Sequence, residues 1–580
     1  MTGMPPLRFS RSPLLTQRLP VWRQRLVLGL LIGAFALLVG RSLYLQGIEN
    51  EFLGDKGRER FERVIEISAT RGRVMDRHGD ALAVSTPVKS IWAIPEDARL
   101  TPAQARDLAQ ALELDPRELG HKLASERDFV FVKRQIPPEI ADRVAALKLP
   151  GIHQQREYRR YYPAGEVTAH VLGFTGSEDR GQEGIELAFN DQLSGRPGSR
   201  RVIKDRRGNI VEDVESIHAP QEGKDITLAL DAKIQYLAFA SLKRAVTENK
   251  ARAGGIVVID ARNGEVLALA NLPTYNPNNR SRLAGAQLRN RALTDTFEPG
   301  STMKPFTVAL AMDKGKVRFN TQIQTAPGKL TIGSATISDA HAHGLLTVAE
   351  VIQKSSNIGA AKIALTMSPA EMWESYSHLG FGTPLRMGFP GEAAGRLRPA
   401  KTWKPIEQAT MSYGHGISVT LMQIARSYQA FARDGDILPL SLTRLDTPPG
   451  QGEQVFTAQT AREVRAMLEM AVQPGGTAPR AQIPGYRVAG KTGTAHKIEG
   501  GAYANKYVSS FVGFAPVSDP RLIVAVMIDE PSAGKHFGGE VAAPVFAEVM
   551  AGSLRALGVA TDAPLKPLNL TGLEVIKEGM

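Results

Sequence analysis

The longest apolar run of the chain lies close to its N-terminus. Residues 26–47 read LVLGLLIGAFALLVGRSLYLQG, in which Arg41 is the only charged residue. A helix over this run would be roughly 30 Å long, which matches the hydrocarbon thickness of a bilayer. We therefore predict a single transmembrane anchor at residues 26–47.

The charges on the two sides of this anchor are unequal. Residues 1–25 contain five arginines and no acidic residue, whereas Glu49 and Glu51 follow the apolar run. Because basic residues are retained on the cytoplasmic side, we expect a cytoplasmic tail at residues 1–25 and the bulk of the chain on the periplasmic side of an inner membrane. A cleaved signal peptide is the alternative, and it is disfavoured because no small-x-small cleavage site follows the run.

Beyond the anchor, the pattern of apolar positions changes at about residue 222. Residues 48–221 mix short strand-like runs with helical runs and many arginines, which predicts a mixed α/β domain. The stretch DITLALDAKIQYLAFASLKRAVTENK then predicts a strand that leads into an amphipathic helix. The following GGIVVIDARNGEVLALAN predicts two strands joined at Asn263 and Gly264, since Asn-Gly is the strongest short hairpin signal.

Three more apolar strands are predicted further along the chain. They lie in YRVAGKTGTAH, YVSSFVGFAPV and RLIVAVMIDEP, and helix-rich sequence separates them from the first hairpin. An antiparallel sheet built from both ends of a domain, with helices on both sides, is an α+β arrangement. We therefore predict an α+β domain at residues 222–557, followed by a tail at 558–580.

Composition limits the chemistry that the chain can perform. Its 580 residues include no cysteine, which excludes disulfides, thiolate nucleophiles and cysteine-based metal sites. The net charge of +12 comes without a nucleic-acid motif and predicts a generally basic surface, with a membrane surface or an anionic polymer as alternative partners. His341 and His343 have the spacing of metal ligands, but the glycine after them favours a turn. We expect neither a metal nor a cofactor.

The stretch EPGSTMKPF indicates a reactive serine at the start of a helix. Ser301 and Lys304 would share one helix face, and Pro305 fits only near a helix start because its ring would clash with the carbonyl four residues back. Free backbone N–H groups and the positive end of the helix dipole would surround the Ser301 hydroxyl. The same spacing occurs at Ser532 and Lys535, but a glycine between them indicates a loop.

Two further motifs follow Ser301 in order along the chain. KSSNIGAAKIAL places Ser355 and Asn357 just before a helical run, and GKTGTAH places residues 491–494 on a predicted strand. Together with S-x-x-K, they resemble the S-x-N and K-S/T-G motifs of the penicillin-recognising serine acyltransferases. That family has an α+β transpeptidase fold, with helices on both sides of an antiparallel sheet.

The resemblance implies a role for each of these side chains. Ser301 would attack the substrate carbonyl, Lys304 would accept its proton, and Ser355 would relay the proton to the leaving amine. Burial and the second cation, Lys491, would lower the pKa of Lys304. Asn357 would hydrogen-bond both the substrate amide and the Lys304 side chain.

The strand motif would bind the substrate and stabilise negative charge. Lys491, Thr492 and Thr494 would hold a terminal carboxylate, as offered by a stem peptide ending in D-Ala-D-Ala or by penicillin. The backbone N–H groups of Ser301 and Thr494 would form the oxyanion hole. Gly493 would let the substrate lie close to the strand backbone.

The upstream region narrows the resemblance to class B penicillin-binding proteins. RGRVMDRHGDALAVS, RRYYPAGEVTAHVLGFTG and GQEGIELAFNDQLSGRPG are similar to three motifs in the pedestal of that class. Residues 48–221 would then be a dimerisation-type pedestal, held by a buried ion-pair network. Its expected members are Arg71, Asp76, Arg77, Arg160, Glu183 and Glu186.

Two later stretches, SYGHGISVTLMQIARSYQAFARDG and IDEPSAGKHFGGEVAAPVF, are similar to the division-specific transpeptidases of that class. The resemblance implies a β-lactam-inhibited peptidoglycan D,D-transpeptidase at the division septum. Its partners would be a septal glycosyltransferase of the FtsW type and other membrane proteins of the division machinery. His415 and His536 each stand where tyrosine is expected, which bears on substrate and drug fit rather than on the reaction.

Three other functions are compatible with the same motifs. They are an elongation-type transpeptidase, a carboxypeptidase or β-lactamase with water as the acceptor, and a non-catalytic division scaffold or β-lactam sensor. Hydrolysis would need a group that activates water, and the sequence does not identify one. The intact set of motif residues argues against a non-catalytic domain.

Overall fold

The structure is a computed structural model that describes residues 20–48, 62–127, 129–204, 210–281, 283–447 and 449–564. Residues 1–19 of the predicted cytoplasmic tail and residues 565–580 of the predicted C-terminal tail lie outside these ranges. The chain divides into two units, one of residues 1–68 and 197–220 and the other of residues 69–196 and 221–580.

The first unit contains the predicted anchor and a small sheet. The helix Val21–Leu43 continues as a π-helical turn at Tyr44–Ile48, and every side chain of the helix is exposed. It is long and apolar enough to cross a membrane, with a mean hydropathy of 2.2. The antiparallel sheet of this unit has the strand order Glu62–Ile67, Gly198–Lys204, Ile210–His218.

The N-terminal part of the second unit, residues 69–196, is a mixed α/β region. The strands of its sheet are Val74–Met75, Ala81–Ala93, Val130–Ile136, Ile152–Tyr161 and, from later in the chain, Ile226–Thr227. The helices of this region are Pro102–Leu112, Pro116–Leu123, Pro138–Ala146, Ala169–Leu172, Gly184–Ala188 and Asn190–Leu193. Each of the first three helices has proline at its start, where the missing N–H is not needed.

A five-stranded antiparallel sheet forms the centre of the second unit. Its strands are β1 (Ala253–Asp260), β2 (Val266–Leu272), β3 (Ala489–Glu499), β4 (Ala502–Ala515) and β5 (Leu522–Asp529). The strand order is β2-β1-β5-β4-β3, so β3, which carries the K-S/T-G motif, lies at an edge. The Asn-Gly hairpin between β1 and β2 is confirmed, and Gly264 has a φ of +78° that favours glycine.

Helices cover both faces of this sheet, so the α+β prediction is confirmed. Helices Ala232–Glu248 and Ala543–Ala556 share one apolar cluster with the sheet, and helices Lys304–Asp313 and Leu421–Ser427 belong to the cluster on the other side. Strands β1, β2 and β5 therefore consist entirely of buried residues, whereas β3 and β4 extend beyond the helices at one end.

The remaining elements of residues 221–564 are short helices and two-stranded ribbons. The helices are Gly285–Leu288, Arg291–Thr294, Val348–Lys354, Asn357–Ala364, Pro369–His378, Pro405–Met411, Gln429–Ala432, Ala458–Val472 and Gly538–Val541. The strands are Gln322–Gln324, Lys329–Ile332, Ala335–Ser338, Leu345–Thr347, Asp436–Ile437 and Glu453–Gln454.

A buried carboxylate joins two arginines of the predicted ion-pair network. Glu186 lies 2.7 Å from Arg71 and 2.6 Å from Arg160, and these side chains are at most 1% exposed. Arg77 instead pairs with Glu265 at 3.2 Å, beside the β1–β2 hairpin. Glu183 belongs to no ion pair in the described part of the chain, so its predicted membership is wrong.

Asp76 stabilises backbone rather than a cation. Its carboxylate accepts hydrogen bonds from the backbone N–H groups of His78, Asp80 and Ala232, at 2.8, 2.9 and 3.2 Å. Ala232 is the first residue of the helix Ala232–Glu248, so the carboxylate also lies at the positive end of a helix dipole. Asp76 thus fixes residues 76–80 to the start of a helix that covers the central sheet.

We predict that Glu186→Gln destabilises the protein strongly. The change leaves two buried guanidinium groups without their counter-charge, which costs about 3–5 kcal/mol in the free energy of unfolding. Urea unfolding of the detergent-solubilised chain measures this loss. The control is Glu166→Gln, which breaks an exposed pair with Lys243 and should cost less than about 1 kcal/mol. Equal losses in the two variants would contradict the assignment.

Candidate active site

Ser301 lies in a 3₁₀ turn, Gly300–Met303, directly before the helix Lys304–Asp313. The predicted helix start near Ser301 is therefore confirmed, and its first turn is a 3₁₀ turn rather than an α-helical one. Gly414 packs against this turn so closely that an added Cβ would lie 2.2 Å from the Gly300 carbonyl oxygen. This contact, at a φ of +87°, requires glycine and fixes the backbone beside Ser301.

Lys304 directs its amine at the Ser301 hydroxyl. The Lys304 Nζ is 2.8 Å from Ser301 Oγ, 3.0 Å from Ser355 Oγ and 2.6 Å from the Ser355 carbonyl oxygen. Lys304 is fully buried, and the Tyr413 ring lies 6.0 Å from its Nζ. The structure thus brings the first two motifs together at one amine.

Ser355 connects the amines of two lysines. Its Oγ accepts hydrogen bonds from Lys304 Nζ and, at 2.9 Å, from Lys491 Nζ. Both lone pairs of the hydroxyl are then used, so its own proton can be donated to a third group. Ser355 adopts the left-handed conformation, with φ +61°, between helices Val348–Lys354 and Asn357–Ala364. That conformation is unfavourable for serine, and it turns both oxygens towards Lys304.

Strand β3 packs against the 3₁₀ turn Gly300–Met303, which carries the predicted nucleophile Ser301 and is called the nucleophile turn below. Thr492 Oγ1 lies 2.9 Å from Thr477 Oγ1, and Thr494 Oγ1 accepts a hydrogen bond from the Gly538 N–H at 3.1 Å. At Gly493, an added Cβ would lie 2.5 Å from Ser510 Oγ and 2.8 Å from the Pro299 carbonyl oxygen. The absence of a side chain at Gly493 therefore lets β3 approach the nucleophile turn; its contact with substrate stays a prediction.

Asn357 presents a buried oxygen that no described residue uses. Its Nδ2 donates to the Ser338 carbonyl at 3.1 Å, whereas its buried Oδ1 accepts no hydrogen bond from the described residues. The predicted hydrogen bond between Lys304 and Asn357 is therefore wrong. The Oδ1 atom is left as an acceptor for an amide N–H of a substrate.

Asp339 supports this part of the site and was missed by the sequence analysis. Its carboxylate accepts hydrogen bonds from Ser356 Oγ at 2.6 Å and from the N–H groups of Asn357 and Ile358 at 2.6 and 3.1 Å. A carboxylate at a helix N-terminus is favoured by the helix dipole. Nothing in the local pattern distinguishes Asp339 from an ordinary loop residue, because it lies 18 residues from Asn357.

His415 and aromatic rings line one rim of the site. The His415 ring lies 5.1 Å from the Tyr413 ring and 5.8 Å from the Tyr503 ring. Burial lowers the pKa of His415 to about 4, so its imidazole is neutral at pH 7. His536 stacks on Tyr507 with the ring centres 4.1 Å apart. Imidazole rings in aromatic contacts thus stand where the two tyrosines are expected.

The motif residues converge in one largely buried region. Ser301 is 3% exposed and Lys304 and Lys491 are fully buried. The Ser301 hydroxyl, the Lys304 amine and the Ser355 hydroxyl follow one another within hydrogen-bonding distance, an arrangement that suits acyl transfer to serine.

Comparisons with known proteins agree with this arrangement. The family "Penicillin binding protein transpeptidase domain" matches residues 254–551, and "Penicillin-binding Protein dimerisation domain" matches residues 66–228. "Probable peptidoglycan D,D-transpeptidase PenA" of Neisseria gonorrhoeae is 45% identical over 546 residues, which cover 93% of each chain. "Peptidoglycan D,D-transpeptidase FtsI" of Escherichia coli K12 is 42% identical over 550 residues, also 93% of each chain.

A solved structure also resembles the central sheet and its helices. The apo transpeptidase domain of Burkholderia pseudomallei penicillin-binding protein 3 is 52% identical in sequence, with a TM-score of 0.54. The similarity covers 58% of this chain and 98% of that one.

We predict that Asp339→Ala slows acylation of the protein by a penicillin roughly ten-fold, about 1.4 kcal/mol, because a hydrogen bond to a charged group is worth about that much. Asp562→Ala is the matched control. Asp562 likewise accepts two backbone N–H groups and one serine hydroxyl, from Arg487 and Ser518, away from the motif residues. Stopped-flow acylation compares the variants. Equal rates in both would show that Asp339 does not position the site.

Proposed function

The chain belongs to the class B penicillin-binding proteins and is a peptidoglycan D,D-transpeptidase, and we propose that Ser301 is its nucleophile. The observation that carries this assignment is the 2.8 Å contact between Lys304 Nζ and Ser301 Oγ, continued through Ser355 to Lys491. We also propose that residues 222–557 form the catalytic domain and residues 48–221 its pedestal.

Acylation would begin with attack by Ser301 Oγ on the penultimate D-Ala carbonyl carbon. Lys304 accepts the hydroxyl proton, and the backbone N–H groups of Ser301 and Thr494 stabilise the oxyanion. The carbon–nitrogen bond then breaks, and the terminal D-Ala leaves with a proton delivered through Ser355, whose O–H is available for donation. The product is a peptidyl ester of Ser301.

Substrate recognition would use the remaining motif residues. Lys491, Thr492 and Thr494 bind the terminal carboxylate of the donor stem, and the unused Asn357 Oδ1 accepts an amide N–H. β-Lactams carry a comparable carboxylate and amide, so they would acylate the same serine and block it. In the second half-reaction an amine of a neighbouring stem attacks the ester and regenerates Ser301.

Septal action and its partners form the finer part of the proposal. The exposed apolar helix Val21–Leu43 suits a single-pass anchor in an inner membrane, with the catalytic domain on the periplasmic side. The 42% identity to a protein named FtsI favours division over elongation. A septal glycosyltransferase of the FtsW type and other division proteins would then be its membrane partners.

We predict that a fluorescent penicillin labels the wild-type protein and does not label Ser301→Ala. The variant lacks the attacking oxygen and keeps every other motif residue. Gel fluorescence measures the labelling, and Ser532→Ala, at the second S-x-x-K spacing, should label as the wild type does. Stable label on Ser301→Ala would refute the nucleophile. Rapid loss of label from the wild type would instead indicate hydrolysis.

We predict that depletion of the protein from its native cells produces filaments, because septal cross-linking stops while elongation continues. Microscopy during depletion measures cell length and width. Complementation by the wild type should restore division, and complementation by Ser301→Ala should not. Rounded cells would contradict the septal role and favour an elongation role.

A further inference from the structure

A cavity of about 230 Å³ lies beside the nucleophile turn, against one face of the central sheet. Its floor crosses four strands, since Lys497 of β3, Val508 of β4, Met527 of β5 and Ala253 of β1 all line it. Its opposite wall is the segment that leads to Ser301. The apolar part of the lining comprises Phe297, Ile498, Val508 and Met527.

The cavity has one carboxylate that no cation neutralises. Asp295 pairs with Arg289 and Arg291 at 2.6 Å each, and Asp529 pairs with Lys497 at 2.8 Å. Glu298 forms no ion pair with any described residue; it accepts hydrogen bonds from the Gly416 N–H at 2.7 Å and from the Tyr503 hydroxyl at 3.1 Å. The site therefore favours a positively charged ligand group next to an apolar chain.

Glu298 is close enough to the nucleophile to act on the same substrate. The Cα atoms of Glu298 and Ser301 are separated by three residues, hence by at most about 11 Å. The hydroxyl that contacts Glu298 belongs to Tyr503, which is 55% exposed, and Ile498 at the cavity is 55% exposed as well. The carboxylate is thus reached from the surface rather than sealed in the core.

A donor stem bound at the motif residues would run along β3 towards this cavity. Strand β3 is an edge strand, and an extended peptide can pair with its free edge. A stem whose terminal carboxylate is held at Lys491–Thr494 would, if it pairs antiparallel, place its preceding residues beside the later part of β3. Alternate side chains of such a peptide point to the two faces of the sheet, one of which holds the cavity.

The donor stem carries a group that suits Glu298. If the acceptor amine of the proposed reaction is carried on a stem side chain, each donor of the same polymer also possesses that amine, upstream of its two D-Ala residues. At neutral pH such an amine is an ammonium on a short methylene chain. The unpaired carboxylate matches the charge, and Phe297, Ile498 and Met527 match the methylene groups.

We propose that this cavity binds the ammonium-bearing side chain of the donor stem, with Glu298 as its counter-charge. The inference rests on the proposed transpeptidase function and adds a preference to it. The enzyme selects donor stems whose amine is still free over stems whose amine has already been acylated in a cross-link.

The test compares two synthetic peptides ending in D-Ala-D-Ala. Both carry lysine immediately before the two D-Ala residues, with a free side-chain amine in one and an N-acetylated amine in the other. D-Ala release gives kcat/KM for each peptide, and the measured quantity is the ratio of the two values for one enzyme preparation. A partial loss of folded protein cancels from that ratio.

We expect the wild type to favour the free amine roughly five-fold, because a partly exposed charge pair is worth up to about 1 kcal/mol. The ratio should fall to near one in Glu298→Gln. Ile498→Lys places a cation at the exposed rim and should lower the ratio as well. Glu499→Gln, on the same hairpin but paired with Lys506, should keep the wild-type ratio.

Equal use of both peptides by the wild type, or an unchanged ratio in Glu298→Gln and Ile498→Lys, overturns the proposal. A reduced ratio in Glu499→Gln would mean that the preference comes from the summed negative charge of the hairpin rather than from Glu298. That result also overturns the proposal. If neither peptide acylates Ser301 in the wild type, the proposed function itself fails, which is a distinguishable result.

Discussion

The site depends on one serine hydroxyl that accepts hydrogen bonds from two fully buried amines. Ser355 Oγ lies 3.0 Å from Lys304 Nζ and 2.9 Å from Lys491 Nζ. Removing amines from water is unfavourable unless hydrogen bonds replace the lost hydration. The contact therefore ties together three segments that are far apart in the sequence, and it leaves the hydroxyl proton of Ser355 free to be donated.

The surrounding fold holds each of these segments by a different physical means. The left-handed backbone at Ser355 turns its oxygens inwards, and the Asp339 carboxylate fixes the next helix start. Glycines at positions 414 and 493 allow the nucleophile turn to be packed from two sides without a Cβ. The site is thus built from backbone geometry as much as from side chains, which suits a reaction that needs little movement of the catalytic groups.

The sequence predicted the elements with strong periodicity and the residues with motif spacing. The apolar N-terminal helix, the Asn-Gly hairpin, the three later strands and the helix start near Ser301 all have local signals, and the structure contains them. Ser301, Lys304, Ser355 and Lys491 converge as expected. The pedestal pairing of Arg71 and Arg160 with Glu186 was also indicated by motif residues, although Glu183 takes no part in it.

The sequence could not predict contacts between residues that belong to no local pattern. Asp339 and Glu298 are single acids in loops, and their partners become visible only when the chain is folded. The predicted bond from Lys304 to Asn357 failed because the amide of Asn357 turns to the Ser338 carbonyl instead. Spacing identifies which residues meet, whereas the direction of each hydrogen bond depends on the backbone that carries them.

A crystal structure of the protein after reaction with a penicillin tests the central claim most directly. The account predicts continuous electron density from Ser301 Oγ to the opened lactam, with the drug carboxylate beside Thr492 and Thr494 and both lysine amines still on Ser355. Density attached to another residue, or a Ser355 hydroxyl in contact with only one of the amines in both the free and the acylated protein, would contradict it.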